Sequence, residues 1–214
     1  KMTGDVVQGH SVVEILKDAT PSEDVREIGS DMAAGECVLK AGTMVCAAEV
    51  AMLATVGAVN VPVYARPRVA IMSTGDEVEE PMVESLPLGK VRDANRAMLL
   101  AAVAEVGASP LDMGIARDSE AVVERTIEDA ISQRADVLIS TGGVSMGNKD
   151  FIKGILQRIG TVHFGKICMK PGKPCTFATI VRGDRTVVFF GLPGNPVSAL
   201  TTFHLYVSPA IKIL

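Results

Sequence analysis

The sequence predicts an α/β fold: a three-layer, mostly parallel sheet with helices on both faces, preceded by part of a smaller β-rich domain. Three observations carry this. From Arg68 onward, short apolar runs alternate with helical segments of roughly 10–15 residues, the pattern of strand–helix–strand crossovers. The apolar runs are continuous, as strands covered on both faces must be. The 20 glycines and 11 prolines gather in short clusters between those runs, which marks turns and not a linker.

The elements follow in order. Val12–Leu16, Cys37–Leu39 and Val59–Tyr64 read as strands, and Ala47–Val56 as a short helix stopped by Gly57. These make a β-rich N-terminal domain, 1–66, joined near Ala65-Arg66-Pro67 to an α/β domain, 67–214. Val69–Ser73 opens the second domain as a strand. Asn95–Val106 is a helix capped by Asp93, with Met98, Leu99, Ala102, Val103 and Val106 on one stripe. Leu111–Ile115 is a strand, and Ser119 caps a helix striped by Val122, Val123, Ile127, Ala130 and Ile131. Asp136–Ser140 is a strand, followed by a helix near Phe151–Ile159. Cys175–Val181 and Thr186–Phe190 form an antiparallel edge pair around a four-residue loop, Arg182 to Arg185. A last helix starts near Pro196, where proline suits the first turn.

Composition excludes several function classes. With 25 acidic and 21 basic residues the net charge is -4, so there is no basic face for nucleic acid. No apolar stretch nears the roughly 20 residues of a membrane helix, and Lys1–His10 carries no signal-peptide core. The chain reads as cytoplasmic. Four cysteines without a CxxC pair argue against zinc or a disulfide framework and for buried reduced thiols.

In an open α/β sheet, ligands bind beyond the carboxyl ends of the strands. Four polar turns should converge there: Ser73-Thr74-Gly75-Asp76-Glu77, Arg117-Asp118, Ser140–Gly147 with Asp150, and Gly191–Ser198. Glycines in such turns let a phosphate approach backbone N–H groups, and the following helix adds its partial positive charge. Each turn alone reads as a tight strand-to-helix connection; the four together favour a phosphate-bearing ligand. Acidic residues gather at the same turns, and carboxylates beside phosphate commonly hold Mg²⁺. Helix capping accounts equally for Asp118 and a turn hydrogen bond for Asp76, which leaves Glu77 and Asp150 as the metal candidates. Lys170-Pro171-Gly172-Lys173-Pro174 fixes two ammonium groups on a stiff loop suited to an oxyanion; the alternative is a solvated turn between strands. His10, His163 and His204 lack catalytic partners at a telling spacing, and no GxxxxGK[ST] loop is present.

Four motifs, Val69–Val78, Ser140–Gly147, Met169–Pro174 and Gly191–Ser198, resemble in wording and order the molybdopterin molybdenumtransferase family: the bacterial MoeA proteins and the E domains of their plant counterpart and of gephyrin. The resemblance runs over roughly residues 25 to 214. It implies a MogA-like molybdopterin-binding fold and insertion of molybdate into adenylylated molybdopterin, with AMP released and Mg²⁺ assisting. By position, Asp150, Asp118, Glu77 and Asp31 match the family's acidic catalytic residues, with Asp150 and Glu77 on the metal. Thr74, Gly75, Asp76, Gly142, Gly143, Ser145, Asn195 and Ser198 match the substrate pocket. Lys170 and Lys173 match the basic residues that hold molybdate or pterin phosphate.

The family pattern also implies a homodimer and an adenylyltransferase domain or partner. The sequence begins after the family's Met-Asp-Gly-Tyr-Ala segment and ends before its C-terminal β-domain, so activity of these 214 residues alone is not implied. Two alternatives stand beside this reading. A gephyrin-like receptor-anchoring scaffold would keep the fold without catalysis. The related adenylyltransferase would have Gly-Gly-Thr-Gly and Pro-Gly-Ser-Pro turns, where this sequence has Gly142-Gly143-Val144-Ser145 and Pro193-Gly194-Asn195-Pro196.

Overall fold

The computed structural model describes residues 2–7, 10–143 and 151–214. The chain forms two compact units, Lys1–Val63 and Tyr64–Leu214. The first holds an antiparallel hairpin, β1 (Met2–Val7) and β2 (His10–Ile15), and one helix, α1 (Ala47–Thr55). α1 begins at a capping box in which Glu49 reaches back to the Cys46 N–H at 2.9 Å, satisfying a donor that the first helical turn leaves free.

The unit is less β-rich than the sequence suggests. Cys37–Leu39 and Val59–Tyr64 are not strands. β-branched residues favour a strand only where a neighbouring strand and a packed face receive them. Val59, Val63 and Tyr64 are 88%, 72% and 86% exposed, and no such strand lies alongside among the described residues. At Cys37 the thiol donates instead to the Leu39 carbonyl within a local turn, at 3.3 Å.

The second unit is built on a six-stranded sheet in the order β6-β3-β7-β10-β9-β8. In chain order these are β3 (Arg68–Thr74), β6 (Ser109–Ala116), β7 (Val137–Thr141), β8 (Thr161–Phe164), β9 (Thr176–Arg182) and β10 (Arg185–Leu192). β6, β3, β7 and β10 are mutually parallel, while β9 runs antiparallel to both β10 and β8. Between β3 and the next helix a short parallel pair, β4 (Val78–Glu79) and β5 (Val91–Arg92), forms an arm. The first polar turn therefore enters this arm and does not lead straight into a helix.

Alternate residues of β3 feed two cores. Ala70 and Met72 pack with Val123 and Ile127 of α3 (Glu120–Ser132) and with Ile152, Ile155 and Leu156 of α4 (Phe151–Ile159). Val69 and Ile71 pack with Leu99 and Val103 of α2 (Ala94–Glu105), and with Ala199 of α5 (Pro196–Thr202) and Ile211 of α6 (Ser208–Ile213). Val69, Ala70, Ile71 and Met72 are all fully buried, which is why that strand reads as one unbroken apolar run. α5 and α6 are joined by a π-helical stretch, Phe203–Val207, just ahead of Pro209, whose ring cannot accept the regular helical ladder.

Four details differ from the sequence reading. β8 is the edge strand beyond β9, so the antiparallel pair does not end the sheet. The β9–β10 loop is two residues, Gly183 and Asp184, with Arg182 paired to Arg185; Gly183 holds φ 62°, as the first central residue of a tight hairpin turn can. Val122 is 41% exposed and lies off the apolar stripe of α3. Of the four free cysteines, Cys37, Cys46 and Cys168 are exposed and only Cys175 is buried. Burial pushes the Cys175 thiol up to about 11, so it stays protonated and unreactive at neutral pH.

Candidate functional site

β3 and β7 are neighbours whose connections leave the sheet on opposite sides. β3 leads through the arm to α2 in one core, and β7 leads toward α4 in the other. Adjacent parallel strands that diverge this way open a crevice beyond their carboxyl ends. The crevice here is a cavity of about 310 Å³, at the lower end of the range for ligand pockets.

Three strand ends supply much of its wall: Ser73 and Thr74 end β3 with Glu77 just beyond, Thr141 ends β7 with Gly142 next, and Gly194 and Pro196 follow β10. Asp93, Ala94 and Asn95 at the start of α2 close another side, with the arm residues Val78, Val91 and Arg92 beside them. Ser73, Thr74, Ser140 and Thr141 are at most 3% exposed. Four buried hydroxyls at the ends of two central strands have no purpose in an apolar core, and they mark where the sheet turns polar.

Glycine is required where these strands end. A Cβ on Gly142 would sit 2.6 Å from the Thr74 carbonyl oxygen, and one on Gly143 would sit 2.7 Å from Thr74 Oγ1. Thr74 Oγ1 donates to the Thr141 carbonyl at 3.2 Å, so the two turns are laced together.

The start of α2 is held by a charged hub. Asp93 caps the helix by accepting from the Arg96 N–H at 3.0 Å and also accepts from Ser73 Oγ at 2.8 Å. Arg96, 7% exposed, donates to Asp93 at 2.9 Å, to Asp112 at 2.6 Å, and to Glu80 of the arm. Burial works against the guanidinium charge, but hydrogen bonds with Asp93 and Asp112 outweigh it, and its pKa rises above the ordinary value. One arginine thus fixes α2, β6 and the arm around the cavity.

The sequence-predicted residues distribute as follows. Thr74, Glu77 and Gly142 line the cavity. Glu77 folds back over Gly75, where a Cβ would meet its carboxylate at 2.6 Å. Asp76 is exposed; its carboxylate accepts from the Asp118 N–H at 3.0 Å, which brings the second turn alongside the first. Arg117 holds the same corner by donating to the Val78 carbonyl at 2.8 Å and pairing with Glu79. Arg117, then Lys90, draws the Glu79 carboxyl below its usual pKa.

Asn195 uses its side chain to cap α5, accepting from the Val197 N–H at 3.0 Å and the Ser198 N–H at 3.3 Å. Asn195→Ala should therefore lower stability by about 1 kcal/mol, read as a shift of the urea midpoint. Ser198 is half-buried on α5 and, like Lys170 and Lys173, is not part of the cavity wall. The lysine loop nonetheless sits at the same edge of the sheet, because Thr176, just after it, pairs with Gly191 at the end of β10. Both lysines are exposed, and Gly172 packs against Thr202 of α5. Asp31 belongs to the N-terminal unit, where it pairs with Arg26 at 2.7 Å. Ser145 and Asp150 lie outside the described residues.

Among the described residues no group of three His, Cys, Asp or Glu side chains could hold a metal ion. Among the described residues, Glu77 brings an uncommitted carboxylate to the cavity wall. Mg²⁺ is often bound through one or two carboxylates plus substrate phosphates and water, and a single carboxylate on the wall of a cavity with room for a phosphate fits that mode. No described helix is long and apolar enough to cross a membrane.

Of the polar wall residues, Ser73 and Thr141 enter the sequence reading only as members of the polar turns, Asp93 only as a helix cap, and Arg92 and Asn95 with no ligand role. The available signal is the density of hydrogen-bonding groups in Asp93-Ala94-Asn95-Arg96, which exceeds what a helix start needs.

Comparison with known proteins gives the same picture. Residues 70–213 match the family described as a probable molybdopterin binding domain, and residues 2–57 match the MoeA N-terminal region (domain I and II). A molybdopterin molybdenumtransferase from Nostoc is 41% identical over 97% of this chain and 47% of its own length. A gephyrin from Dictyostelium discoideum is 38% identical over 96% of this chain and 32% of its own. The crystal structure of a molybdopterin biosynthesis MoeA protein from Pyrococcus horikoshii superposes with a TM-score of 0.77 at 33% identity, covering 98% of this chain and 50% of that one. The chain thus spans about half or less of the length of these relatives. With both its sheet domain and its N-terminal region matched, the chain belongs to the MoeA family.

Proposed function

We propose that the protein acts in molybdenum cofactor biosynthesis as a molybdopterin molybdenumtransferase, inserting molybdate into adenylylated molybdopterin and releasing AMP. The observation that carries this reading is the cavity where β3 and β7 diverge, with Gly142 and Gly194 in its wall and the start of α2 at its side. Hydrolysis of the phosphoanhydride breaks one P–O bond, consumes one water and frees AMP; as the two dithiolene sulfurs bind the molybdenum of the substrate molybdate, one Mo–O bond breaks and that oxygen leaves as water with the two thiol protons.

The backbone around Thr74, Gly75, Gly142 and Gly143 receives the phosphates, since glycine there allows close approach. Asp76 and Asp118 shape the rim. Lys170 and Lys173 hold molybdate or pterin phosphate as exposed cations, and Ser145, Asn195 and Ser198 supply polar contacts. Glu77 and Asp150 would hold Mg²⁺, which when bound supplies charge neutralisation at the phosphates. Asp150 and Asp118 act as the acidic catalytic pair, Asp31 adds a further carboxylate, and the working unit is a cytoplasmic homodimer served by an adenylyltransferase domain or partner.

Calorimetry with AMP, with and without Mg²⁺ and molybdate, tests the reading. Mg²⁺-dependent binding that falls at least tenfold in Asp150→Asn is the expected result. Equal binding by that variant, or no binding by folded protein, would overturn it.

A further inference from the structure

We propose that Asn95 determines specificity for the nucleoside part of the ligand, by accepting a hydrogen bond from a ribose hydroxyl or the adenine amine. The inference rests on the nucleotide reading of the cavity given above. Asn95 is the second residue of α2, lines the cavity and is 8% exposed. Its amide nitrogen donates to the Gly194 carbonyl at 2.8 Å and to Thr141 Oγ1 at 3.1 Å. A carbonyl has no hydrogen to give, so turning the amide over would set two acceptors face to face. The orientation is therefore fixed, and Asn95 Oδ1 is left buried without a partner among the described residues, so a ligand group reaches it through a small shift of the wall. Leaving a buried acceptor unsatisfied is costly, and native folds keep few such groups, each with a reason such as a functional role.

The chemistry of that ligand group follows. Oδ1 can only accept, so it meets an O–H or N–H and not a phosphate or molybdate oxygen. Its neighbour Asp93 is also an acceptor, but Arg96 and Ser73 already answer it, which leaves Oδ1 as the unanswered acceptor on this side. Phosphate belongs at the glycine turns, and the hydroxyls and amine of the nucleoside belong at the start of α2. A site built to hydrogen-bond one group rejects the analogue lacking it, because the buried acceptor is then stranded.

The test is competition binding of AMP, 2′-deoxy-AMP, 3′-deoxy-AMP and IMP to the wild-type protein and to Asn95→Ala. Wild type should prefer AMP over one of the three analogues by about 5- to 10-fold, the size of one hydrogen bond. In Asn95→Ala that preference should disappear, while preferences among the other analogues persist. A second readout needs no variant: the Asn95 side-chain amide signals in ¹H–¹⁵N spectra should shift with AMP and not with the discriminated analogue. Equal wild-type affinity for all four nucleotides, or a preference that survives in Asn95→Ala, overturns the inference and leaves the nucleotide reading intact. Failure of wild type to bind AMP overturns that reading and this inference together.

Discussion

Arg96→Met should destabilise the α/β domain by about 3–5 kcal/mol, because it removes one partner of a buried ion pair and leaves the other charged. The distribution of exposure decides which contact matters. The Asp112 and Glu80 side chains are each 48% exposed, so water replaces much of what they lose. Asp93 is 2% exposed and has only the Ser73 hydroxyl and a backbone N–H to fall back on. Urea unfolding of three proteins separates the causes. If the penalty is the stranded charge, Asp93→Asn in the Arg96→Met background should recover a large part of it, since a neutral amide can still accept at the helix cap. Arg96→Lys should recover little, because an ammonium cannot present the planar fork that three carboxylates surround. A loss under 1 kcal/mol in Arg96→Met would show that the hub contributes nothing to the fold.

That hub bears on what the sequence could and could not disclose. β3 and β7 were legible because each is buried on both faces, and burial of that kind leaves a composition signature inside a few residues. Asp93 was legible as a cap for the same reason: its partner, the Arg96 N–H, is three residues away. β8 was not. Thr161-Val162-His163-Phe164 alternates exposed with half-buried positions, and its reason to be a strand is the aromatic stack of Phe164 on Phe177, 5.4 Å apart, with a residue on another strand. Val59–Tyr64 failed in the opposite sense, having strand propensity with nothing to pair with.

The site divides along the same line. The glycine turns and their carboxylates are conspicuous by residue type, and Thr74, Glu77 and Gly142 line the cavity. Asn95 could not be found this way, since its meaning depends on Gly194, 99 positions along the chain. The lysine loop shows the converse: its motif is conspicuous, yet only the pairing of Thr176 with Gly191 discloses which edge of the sheet it occupies.

Gly142→Ala should cost about 2–4 kcal/mol and weaken nucleotide binding at the same time, because two separate penalties meet at this residue. The backbone holds φ at 80°, a region that costs an L-residue of order 1–2 kcal/mol. The added methyl would also lie 2.6 Å from the Thr74 carbonyl oxygen. A backbone oxygen cannot swing aside as the end of a flexible side chain can, so relief requires moving the end of β3, at a typical overpacking cost of about 1–3 kcal/mol. Gly183→Ala isolates the first penalty: φ is 62° and nothing lies within 4 Å of the new methyl. The difference between the two variants in urea unfolding is therefore the steric term, and equal losses would mean that Thr74 yields freely. The functional consequence follows from the same displacement. Thr74 and Gly142 are adjacent in the lining of one cavity, and Thr74 is tied to Thr141, so pushing them apart distorts the place where a phosphate would meet backbone N–H groups. Gly183→Ala, on a hairpin loop at the opposite end of β10 from Gly191, should bind AMP as wild type does. Loss of AMP affinity in Gly142→Ala alone would tie the close approach of β3 and β7 to ligand binding as well as to folding.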